Sequence, residues 1–348
     1  MDLIIKPTQL CNFKCTFCSS TQITESNKDV LDLSQVARFL DRFPDTKTII
    51  INGGDPLMLP PQYYWDLLAL LEARGMDRTT LSFTSNLWDF YKHPEKWETL
   101  FKHSMVGVGT SFHYGDSRRI SERRVFTEED FLKISDMMLE RVGFRPDFIS
   151  VIDRSNLSQA LANVELAKRL GVVCKLNYVN ASGRQGQSLL MGDIYRVYLD
   201  VYRAGLMDWE YNTKQVINRW NRYHTTCPLN RDCDAGIRAM NPNGEYYSCG
   251  AFSDDRLYRI DFDAEMASDT IQRPLLAVPE LFSMHEGCFG CEMFEQCNGC
   301  RKTVHDVKQS GRVEEHCQKM KALIPDFQEL AEEQPRPINP FIPLVQLD

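Results

Sequence analysis

Residues 2–20 read DLIIKPTQLCNFKCTFCSS, and this stretch decides both the fold and the chemistry that the sequence predicts. DLIIK predicts a β-strand, and Cys11, Cys15 and Cys18 follow it in the next loop. Chemistry in α/β proteins lies at the carboxyl ends of the strands, where such a loop would sit. Structural zinc sites have four protein ligands, whereas a four-iron cluster held by three cysteines keeps one iron open. The stretch therefore predicts a cluster whose fourth ligand comes from outside the loop.

Strand-then-helix alternation continues beyond this loop to residue 179 and predicts a parallel sheet with crossover helices. After the first strand, further strands are predicted at 46–52, 79–85, 105–112, 147–152 and 172–179, and helices at 33–43, 60–75, 95–103, 127–143 and 157–171. The fold class is therefore α/β with about six strands. Periodicity alone is compatible with an open doubly wound sheet and with a barrel.

The alternation ends after residues 181–187. A helix is predicted at 193–205, followed by a cysteine-dense region with few apolar runs, where bound metal would replace much of the core. A terminal helix is predicted at 317–333, and an extended tail with four prolines after it. We therefore expect regions at 1–190, 191–226 (a helical bridge), 227–317 and 318–348.

The pattern Cys-x3-Cys-x-aromatic-Cys, with Phe17 as the aromatic residue, resembles the signature of the radical S-adenosylmethionine (AdoMet) superfamily. In that family AdoMet is the fourth ligand of a 4Fe–4S cluster, and its reductive cleavage gives methionine and a 5′-deoxyadenosyl radical. The resemblance implies a partial (β/α)6 TIM-like barrel over residues 1–190, with Cys11, Cys15 and Cys18 as catalytic cluster ligands.

Further segments extend this resemblance along the predicted strand ends. NGGDP at residues 52–56 stands where the family has a Gly-Gly-Glu-Pro-like segment that meets the amino group of AdoMet, with Asp55 in place of Glu. The segment ASGRQG at residues 181–186 resembles a Gly-Arg segment that follows strand six. Each match is equally typical of a turn or a helix cap. The AdoMet contacts that the resemblance implies are Phe17, Asn52, Gly53, Gly54, Asp55, Pro56, Thr84, Ser85, Asn86, Ser111 and Asn156.

Eight downstream cysteines resemble the SPASM extension of radical AdoMet enzymes, which binds two auxiliary 4Fe–4S clusters. The resemblance implies a first auxiliary cluster on Cys227, Cys233, Cys249 and Cys300, and a second on Cys288, Cys291, Cys297 and Cys317. Two residues rather than three separate Cys297 from Cys300, which leaves the assignment of Cys300 open. Two zinc-ribbon sites are the alternative. NPNGEYYSCG at residues 241–250 also predicts a β-hairpin, and Cys174 is predicted to be a buried apolar residue.

The resemblance implies hydrogen abstraction from a peptide that ends in oxidation or cross-linking, as in the maturation of ribosomally made peptides. We expect the peptide to dock on the barrel directly or through a separate leader-binding partner. Gly250 stands where sulfatase-maturing relatives have an acidic residue, which counts against formylglycine formation. One alternative substrate is a small polar metabolite, a sugar or aminocyclitol. An alternative from another class is a non-catalytic zinc-binding interaction protein.

Two loops at predicted strand ends supply candidates for a base or for substrate contacts, although solvated loop residues fit the same pattern. These candidates are His113, Tyr114, Asp116, Arg118, Tyr178, Asn180 and Arg184. The run RRISERR at residues 118–124 predicts a solvated face that would also suit an acidic peptide. Four histidines near the cluster cysteines are surplus to the ligand count: His224, His285, His305 and His316.

The net charge of −8 argues against a nucleic-acid partner or an anionic membrane surface. The sequence shows no signal peptide and no apolar run long enough to span a bilayer, which predicts a cytoplasmic protein. In that compartment the twelve cysteines are not expected to form disulfides, and those grouped at short spacings are expected to bind metal. The family resemblance adds an electron donor such as flavodoxin or ferredoxin as a partner.

Overall fold

The computed structural model describes residues 1–20, 29–179, 189–221, 225–227, 229, 233–272, 284–297 and 300–333. Some of the predictions lie outside the described residues, namely Asn180, Arg184, the segment 181–187, His224 and the tail 334–348.

The described residues form eleven β-strands and fourteen α-helices. The strands are β1 (Asp2–Ile5), β2 (Thr48–Ile51), β3 (Thr80–Thr84), β4 (Val106–Ser111), β5 (Arg119–Ser121), β6 (Arg124–Val125), β7 (Phe148–Ile152), β8 (Cys174–Tyr178), β9 (Ile237–Met240), β10 (Tyr246–Tyr247) and β11 (Arg259–Ile260). The helices are α1 (Leu33–Arg42), α2 (Pro61–Glu72), α3 (Trp88–Lys92), α4 (Pro94–Phe101), α5 (Glu128–Arg141), α6 (Ala160–Leu170), α7 (Met191–Arg203), α8 (Tyr211–Trp220), α9 (Gly250–Asp255), α10 (Phe262–Met266), α11 (Phe294–Cys297), α12 (Arg301–Gln309), α13 (Val313–Lys321) and α14 (Ile324–Glu333).

Six parallel strands in the order β1-β2-β3-β4-β7-β8 form the centre of the sheet, which confirms the predicted α/β architecture. Alternate residues of each strand are buried, as Leu3 and Ile5 are in β1 and Ile49 and Ile51 are in β2. The helices α1, α2, α4, α5 and α6 connect these strands, as the periodicity predicted. The carboxyl ends of the six strands therefore meet at one edge of the sheet.

The cysteine-rich region extends this sheet, a feature that the sequence did not indicate. β9 pairs in parallel with β1, and β10 and β11 follow as antiparallel strands, giving the order β11-β10-β9-β1-β2-β3-β4-β7-β8. The predicted hairpin at residues 241–250 is confirmed, because β9 and β10 pair on either side of Gly244, whose φ is +80°. No pairing between the described strands joins β8 to β11, so the sheet is an open, partial barrel.

Side chains cover the free edge of β8. Glu210 accepts a hydrogen bond from the Leu176 backbone N–H (2.8 Å), and Asn212 donates one to the Leu176 carbonyl (2.6 Å). Both polar residues are buried. They satisfy backbone groups that an uncovered edge strand would offer to another chain.

The helix predicted at 317–333 is two helices, α13 and α14. Pro325 has no backbone N–H and its ring clashes with the carbonyl four residues earlier, so it ends one helix and is accommodated in the first turn of the next. Across the described ranges, no helix has the length and apolar character needed to cross a membrane.

Candidate active site

The cysteine loop after β1 borders a cavity of about 170 Å³ at the carboxyl ends of the central strands. We call it the cysteine-loop cavity. Its lining includes Cys11, Cys15 and Cys18 together with nine residues singled out from the sequence: Phe17, Asn52, Gly53, Gly54, Asp55, Thr84, Ser85, Asn86 and Ser111. Pro56 and Asn156 do not belong to the lining. The fold thus brings together side chains from the ends of β1, β2, β3 and β4.

Backbone hydrogen bonds hold the NGGDP segment against the cysteine loop. Gly54 N–H donates to the Thr8 carbonyl (3.0 Å), and Asp55 N–H donates to the Leu10 carbonyl (2.8 Å). A Cβ atom on Gly53 would lie 2.5 Å from the Thr8 oxygen, and one on Gly54 would lie 2.1 Å from the Leu10 oxygen. The two glycines are therefore required by the approach of one loop to the other, a reason that the sequence analysis did not foresee.

Asp55 connects the loops after β2 and β3. Its buried carboxylate accepts hydrogen bonds from Leu57 N–H (2.9 Å), Asn86 N–H (2.8 Å) and Ser85 Oγ (3.0 Å). Burial raises the pKa of Asp55 above its ordinary range, although these hydrogen bonds favour the charged form. Asn86 in turn donates to Asn12 Oδ1 in the cysteine loop (2.7 Å). Asp55 thus both lines the cavity and holds the loops after β2 and β3 together.

Pro56 and Asn156 support neighbouring loops. The Pro56 carbonyl accepts a hydrogen bond from Tyr64 OH (2.5 Å) beneath the NGGDP turn. Asn156 Nδ2 donates to the carbonyls of Val151 (3.0 Å) and Tyr114 (3.3 Å), which ties the loop after β7 to the loop after β4. The AdoMet contacts that the family resemblance implied for these two residues remain predictions.

His113 lies buried beside the cysteine loop rather than in an open mouth. Its Nε2 is 2.9 Å from Ser117 Oγ, and its ring meets the Phe17 ring edge-on with centroids 4.7 Å apart. Burial, followed by the nearby Arg118 charge, lowers the pKa of His113 to about 3. The imidazole is therefore neutral at physiological pH, and its contacts are those of a residue that positions Phe17.

Among the candidates in the loop after β4, Arg118 lines the cysteine-loop cavity. Its guanidinium lies over the rings of Phe13 (5.4 Å) and Phe126 (5.3 Å), and the side chain is buried. Burial lowers the pKa of Arg118, while the neighbouring Cys15, Cys11 and Asp55 favour the cation. A buried cation thus stands beside the cysteine loop.

Two other candidates from this loop lie elsewhere. Tyr114 OH donates a hydrogen bond to Glu128 Oε2 (2.9 Å) on α5, and Asp116 is exposed. Neither residue lines the cysteine-loop cavity.

A second cavity of about 400 Å³, the interior cavity, extends from Cys18 to a group of four other cysteines. This group consists of Cys227, Cys233, Cys249 and Cys300. Burial, together with the charges of the nearby Cys300 and Cys227, raises the pKa of Cys249 to about 12. The structure therefore groups Cys300 with the set to which the family pattern assigned it. Tyr178 also lines this cavity and bonds Thr303 Oγ1 (2.5 Å).

The sequence analysis missed the ionic groups that line the interior cavity. Lys6, directly after β1, is buried and forms an ion pair with the partly buried Asp254 of α9, and Ser19 Oγ donates a hydrogen bond to the same carboxylate (2.8 Å). Lys302, 1% exposed, pairs with Asp255 at 2.7 Å. A lysine directly after a buried strand and next to the cysteine loop was the available signal, because lysine is rarely buried unless it is paired.

A third cavity of about 110 Å³, the C-terminal cavity, is lined by Cys288, Cys291, Cys297 and Cys317. His316 is buried there, and burial lowers its pKa to about 4. Within the described ranges, no three His, Cys, Asp or Glu side chains form a group that could hold a single metal ion. The cysteines are thus arranged around cavities rather than around single points.

Three further residues singled out from the sequence each lie near one polar side chain. Cys174 is buried in β8, as predicted, with its thiol 3.4 Å from Ser150 Oγ. His285 lies 3.5 Å from Glu314, and His305 lies 3.2 Å from Asp306.

The structure combines a three-cysteine loop, a parallel sheet and a cavity at the carboxyl edge of that sheet. Comparison with protein families identifies the class of enzyme to which these features belong. The Radical SAM superfamily profile matches residues 5–187, more than half of the sequence, and the chain belongs to this superfamily. No curated protein was found to match the sequence.

Several solved structures share the fold over almost the whole chain. Native anSMEcpe with bound AdoMet aligns with a TM-score of 0.69 and 15% identity over 95% of this chain and 99% of that chain. The same protein with AdoMet and the Cp18Cys peptide aligns with a TM-score of 0.68 and 15% identity over the same shares, 95% and 99%. Streptococcus suis SuiB bound to the precursor peptide SuiA aligns with a TM-score of 0.60 and 16% identity over 86% of this chain and 71% of that chain.

Proposed function

We propose that the chain is a radical AdoMet enzyme of the SPASM type, which holds three 4Fe–4S clusters and oxidatively modifies a peptide. The main observation in support of this proposal is the interior cavity. It begins at Cys18 of the cysteine loop and ends at Cys227, Cys233, Cys249 and Cys300. A substrate in this cavity would lie between two groups of potential cluster ligands.

The cysteine-loop cavity fits a cluster with AdoMet as its fourth ligand. Two buried polar atoms among its lining residues, Arg118 Nε and Asn52 Oδ1, have no hydrogen-bond partner in the described part of the chain. The Arg118 cation suits the carboxylate of AdoMet, and an oxygen acceptor suits its amino group. When bound, the cluster and AdoMet supply one-electron cleavage of the sulfonium to a 5′-deoxyadenosyl radical.

The Cys11 thiol of this loop needs a bound cation to ionise. Burial raises the pKa of Cys11 to about 12, with a further contribution from Asp55. Cys11 is therefore a neutral thiol at pH 7 unless metal binds, and binding releases its proton. The eight remaining ligand candidates form two groups of four around the other cavities, the number that two complete 4Fe–4S clusters require.

The walls of the interior cavity would orient the substrate. Tyr178, Asn177 and the Lys6–Asp254 pair offer donors and acceptors for a peptide backbone and for one polar side chain. Contacts with the sheet and with α9 would hold the reacting carbon in place. A peptide is the substrate class we favour, because the similar anSMEcpe and SuiB structures contain bound peptides.

Metal content tests the proposal. Protein purified and reconstituted anaerobically is expected to contain about twelve irons per chain, and the Cys11→Ala/Cys15→Ala/Cys18→Ala variant about eight, since one cubane is lost. Cys174→Ala is the matched control and is expected to keep about twelve irons, because Cys174 is buried in β8 away from the cavities. Iron, sulfide and zinc are measured on the same samples.

Two zincs with little iron would contradict the proposal and leave a metal-bound interaction protein. The iron-loaded enzyme could instead form 5′-deoxyadenosine with sugars or aminocyclitols and modify no short peptide encoded beside its gene. That result would show that the substrate is a small metabolite and not a peptide.

A further inference from the structure

His316 is a buried histidine that lines the C-terminal cavity and that the proposed function does not use. Its side chain is 0% exposed, and neither Nδ1 nor Nε2 has a hydrogen-bond partner within the described part of the chain. An imidazole carries at least one N–H group in either protonation state. Because a buried polar group without a partner destabilises the folded chain, this N–H group needs an acceptor.

The two other described histidines near the cluster cysteines differ from His316 in this respect. His285 Nδ1 accepts a hydrogen bond from Gly287 N–H (3.1 Å), and its Nε2 lies 3.5 Å from Glu314. His305 lies 3.2 Å from Asp306. The contacts of His285 and His305 are thus with protein groups, whereas the ring nitrogens of His316 are left for a group bound in the cavity.

Sulfur is the acceptor that the C-terminal cavity offers. Among the described residues that line it, no side chain is a carboxylate, an amide or a hydroxyl group. The lining instead combines four cysteines with apolar residues such as Met293 and Met320, which are both 0% exposed. One N–H group already points to sulfur here, because the backbone N–H of His285 donates to Cys288 Sγ (3.1 Å).

Contacts between α7 and α13 hold His316 in place. A Cβ atom on Gly192 of α7 would lie 2.7 Å from Lys319 Cβ, so the two helices approach each other closely. Lys319 Nζ also pairs with Asp193 Oδ1 at 2.5 Å. His316 lies about one turn before Lys319 on α13 and directly before Cys317. The histidine and one of the four cysteines are therefore carried together on a fixed helix.

We propose that His316 donates an imidazole N–H hydrogen bond to a sulfur of the iron–sulfur cluster held by Cys288, Cys291, Cys297 and Cys317, and so raises the reduction potential of that cluster. This inference rests on the proposed function, which assigns a cluster to these cysteines. Hydrogen bonds to the sulfurs help to set the potential of a cluster, because a donated N–H stabilises the more negative, reduced form more than the oxidised form. A higher potential favours this cluster as the acceptor of the electron that the substrate loses on oxidation, a step in which no atom is transferred.

Substitution of His316 tests this assignment. His316→Leu removes the donor and keeps a side chain of similar size, whereas His316→Gln keeps an N–H donor. Midpoint potentials of the anaerobically reconstituted proteins are measured by redox titration with detection by electron paramagnetic resonance. In His316→Leu we expect the equilibrium constant for one-electron reduction of one cluster to fall about tenfold, a shift of about 59 mV to lower potential. In His316→Gln it should stay within about twofold of the wild type.

Two controls locate the effect in the C-terminal cavity. His103→Leu makes the same substitution between α4 and β4, away from this cavity, and is expected to leave every midpoint potential unchanged. The shift in His316→Leu should persist when Cys11, Cys15 and Cys18 are all replaced by alanine, because these three cysteines do not line the C-terminal cavity.

Iron content separates this inference from the proposed function. Wild-type protein with far fewer than about twelve irons per chain would contradict the proposed function itself. With full iron content, equal potentials in the wild type and His316→Leu would overturn the role of His316, and so would an equal fall in His316→Leu and His316→Gln or a shift that vanishes without the cysteine-loop thiols.

The two variants also cover a loss of the cluster. If only His316→Leu loses about four irons, His316→Gln must still match the wild-type potential, and a lower potential in His316→Gln would overturn the inference. Loss of about four irons from both variants would overturn it as well, because the histidine would then be required for cluster binding rather than for a hydrogen bond to sulfur.

Discussion

At the scale of single residues, the cysteine-loop cavity depends on positions where no side chain fits. Gly53, with φ of +124°, and Gly54 bring the NGGDP turn into contact with the loop that carries the cysteines. Asp55 then fixes the next loop by accepting hydrogen bonds from Ser85 and Asn86. The three consecutive residues therefore set the relative positions of three loops.

Gly54→Ala is expected to disrupt this arrangement. The new Cβ would lie 2.1 Å from the Leu10 carbonyl oxygen, so the backbone of one loop has to move. We expect the free energy of unfolding in an anaerobic urea titration to fall by about 3 kcal/mol, and, if the loop holds the proposed 4Fe–4S cluster, the iron content by about four per chain. Gly107→Ala is the control, because its Cβ would meet nothing closer than Thr80 Cγ2 at 3.9 Å. Full iron content in Gly54→Ala would contradict the role of this contact.

Arg118 lies in the loop that the sequence indicated, but its side chain is buried, whereas the run RRISERR predicted a solvated face. The run RRISERR suggested a solvated face, and its later arginines do lie at the surface. Arg118 instead turns inward between the rings of Phe13 and Phe126. Phe13 and Phe126 are far apart in sequence, so the pocket for Arg118 exists only after the loops have packed together.

At the scale of elements, a buried ion pair attaches β9 and β10 to α10. Arg238 donates to both carboxylate oxygens of Glu265, at 2.7 and 2.9 Å, and both side chains are 0% exposed. Tyr246 OH also donates to Glu265 (2.5 Å). Burial alone would raise the pKa of Glu265, but Arg238 and Tyr246 hold it below its ordinary range. The stabilisation is therefore present above the ordinary carboxyl pKa and is lost as the pH falls through the lowered value.

Glu265→Ala is expected to lower the free energy of unfolding by about 3 to 5 kcal/mol, because it removes the carboxylate that pairs with the buried Arg238 cation. The double variant Arg238→Met/Glu265→Leu should lose less, since it removes both charges and fills the space with apolar atoms. Urea titration at pH 7 compares the two. A double variant that is less stable than Glu265→Ala would contradict this account of the pair.

At the scale of the whole molecule, one sheet joins the barrel to the cysteine-rich region. The barrel has an apolar core, whereas the cysteine-rich region is built around cavities. The central strands are packed with aliphatic side chains such as Leu3, Ile49 and Leu81, which are 0% exposed. The C-terminal cavity is lined by four cysteines around about 110 Å³ of space. A bound cluster would fill that space and connect α11 with α13.

Metal removal should therefore act unevenly on the molecule. In hydrogen exchange of the metal-free chain, we expect amides of β1, β2 and β3 to stay protected, and amides of residues 284–297 and 313–321 to lose protection, because binding energy replaces apolar core there. Reconstitution should restore the lost protection. Equal loss across β1–β3 and the C-terminal helices would contradict this division.

The amino-acid sequence by itself determined the strand-and-helix alternation, the parallel sheet and the cysteines that line the three cavities. These features are encoded locally, in hydrophobic periodicity and in short ligand spacings. Tertiary structure alone decided the addition of β9 to the edge at β1, the Lys6–Asp254 pair across the interior cavity and the inward turn of Arg118. Each of these joins residues distant in the sequence, and no local pattern specifies such a contact. A strand edge or a charged side chain can be buried without a free-energy penalty only when a hydrogen-bonding or oppositely charged partner is in place. The folded chain supplies these partners.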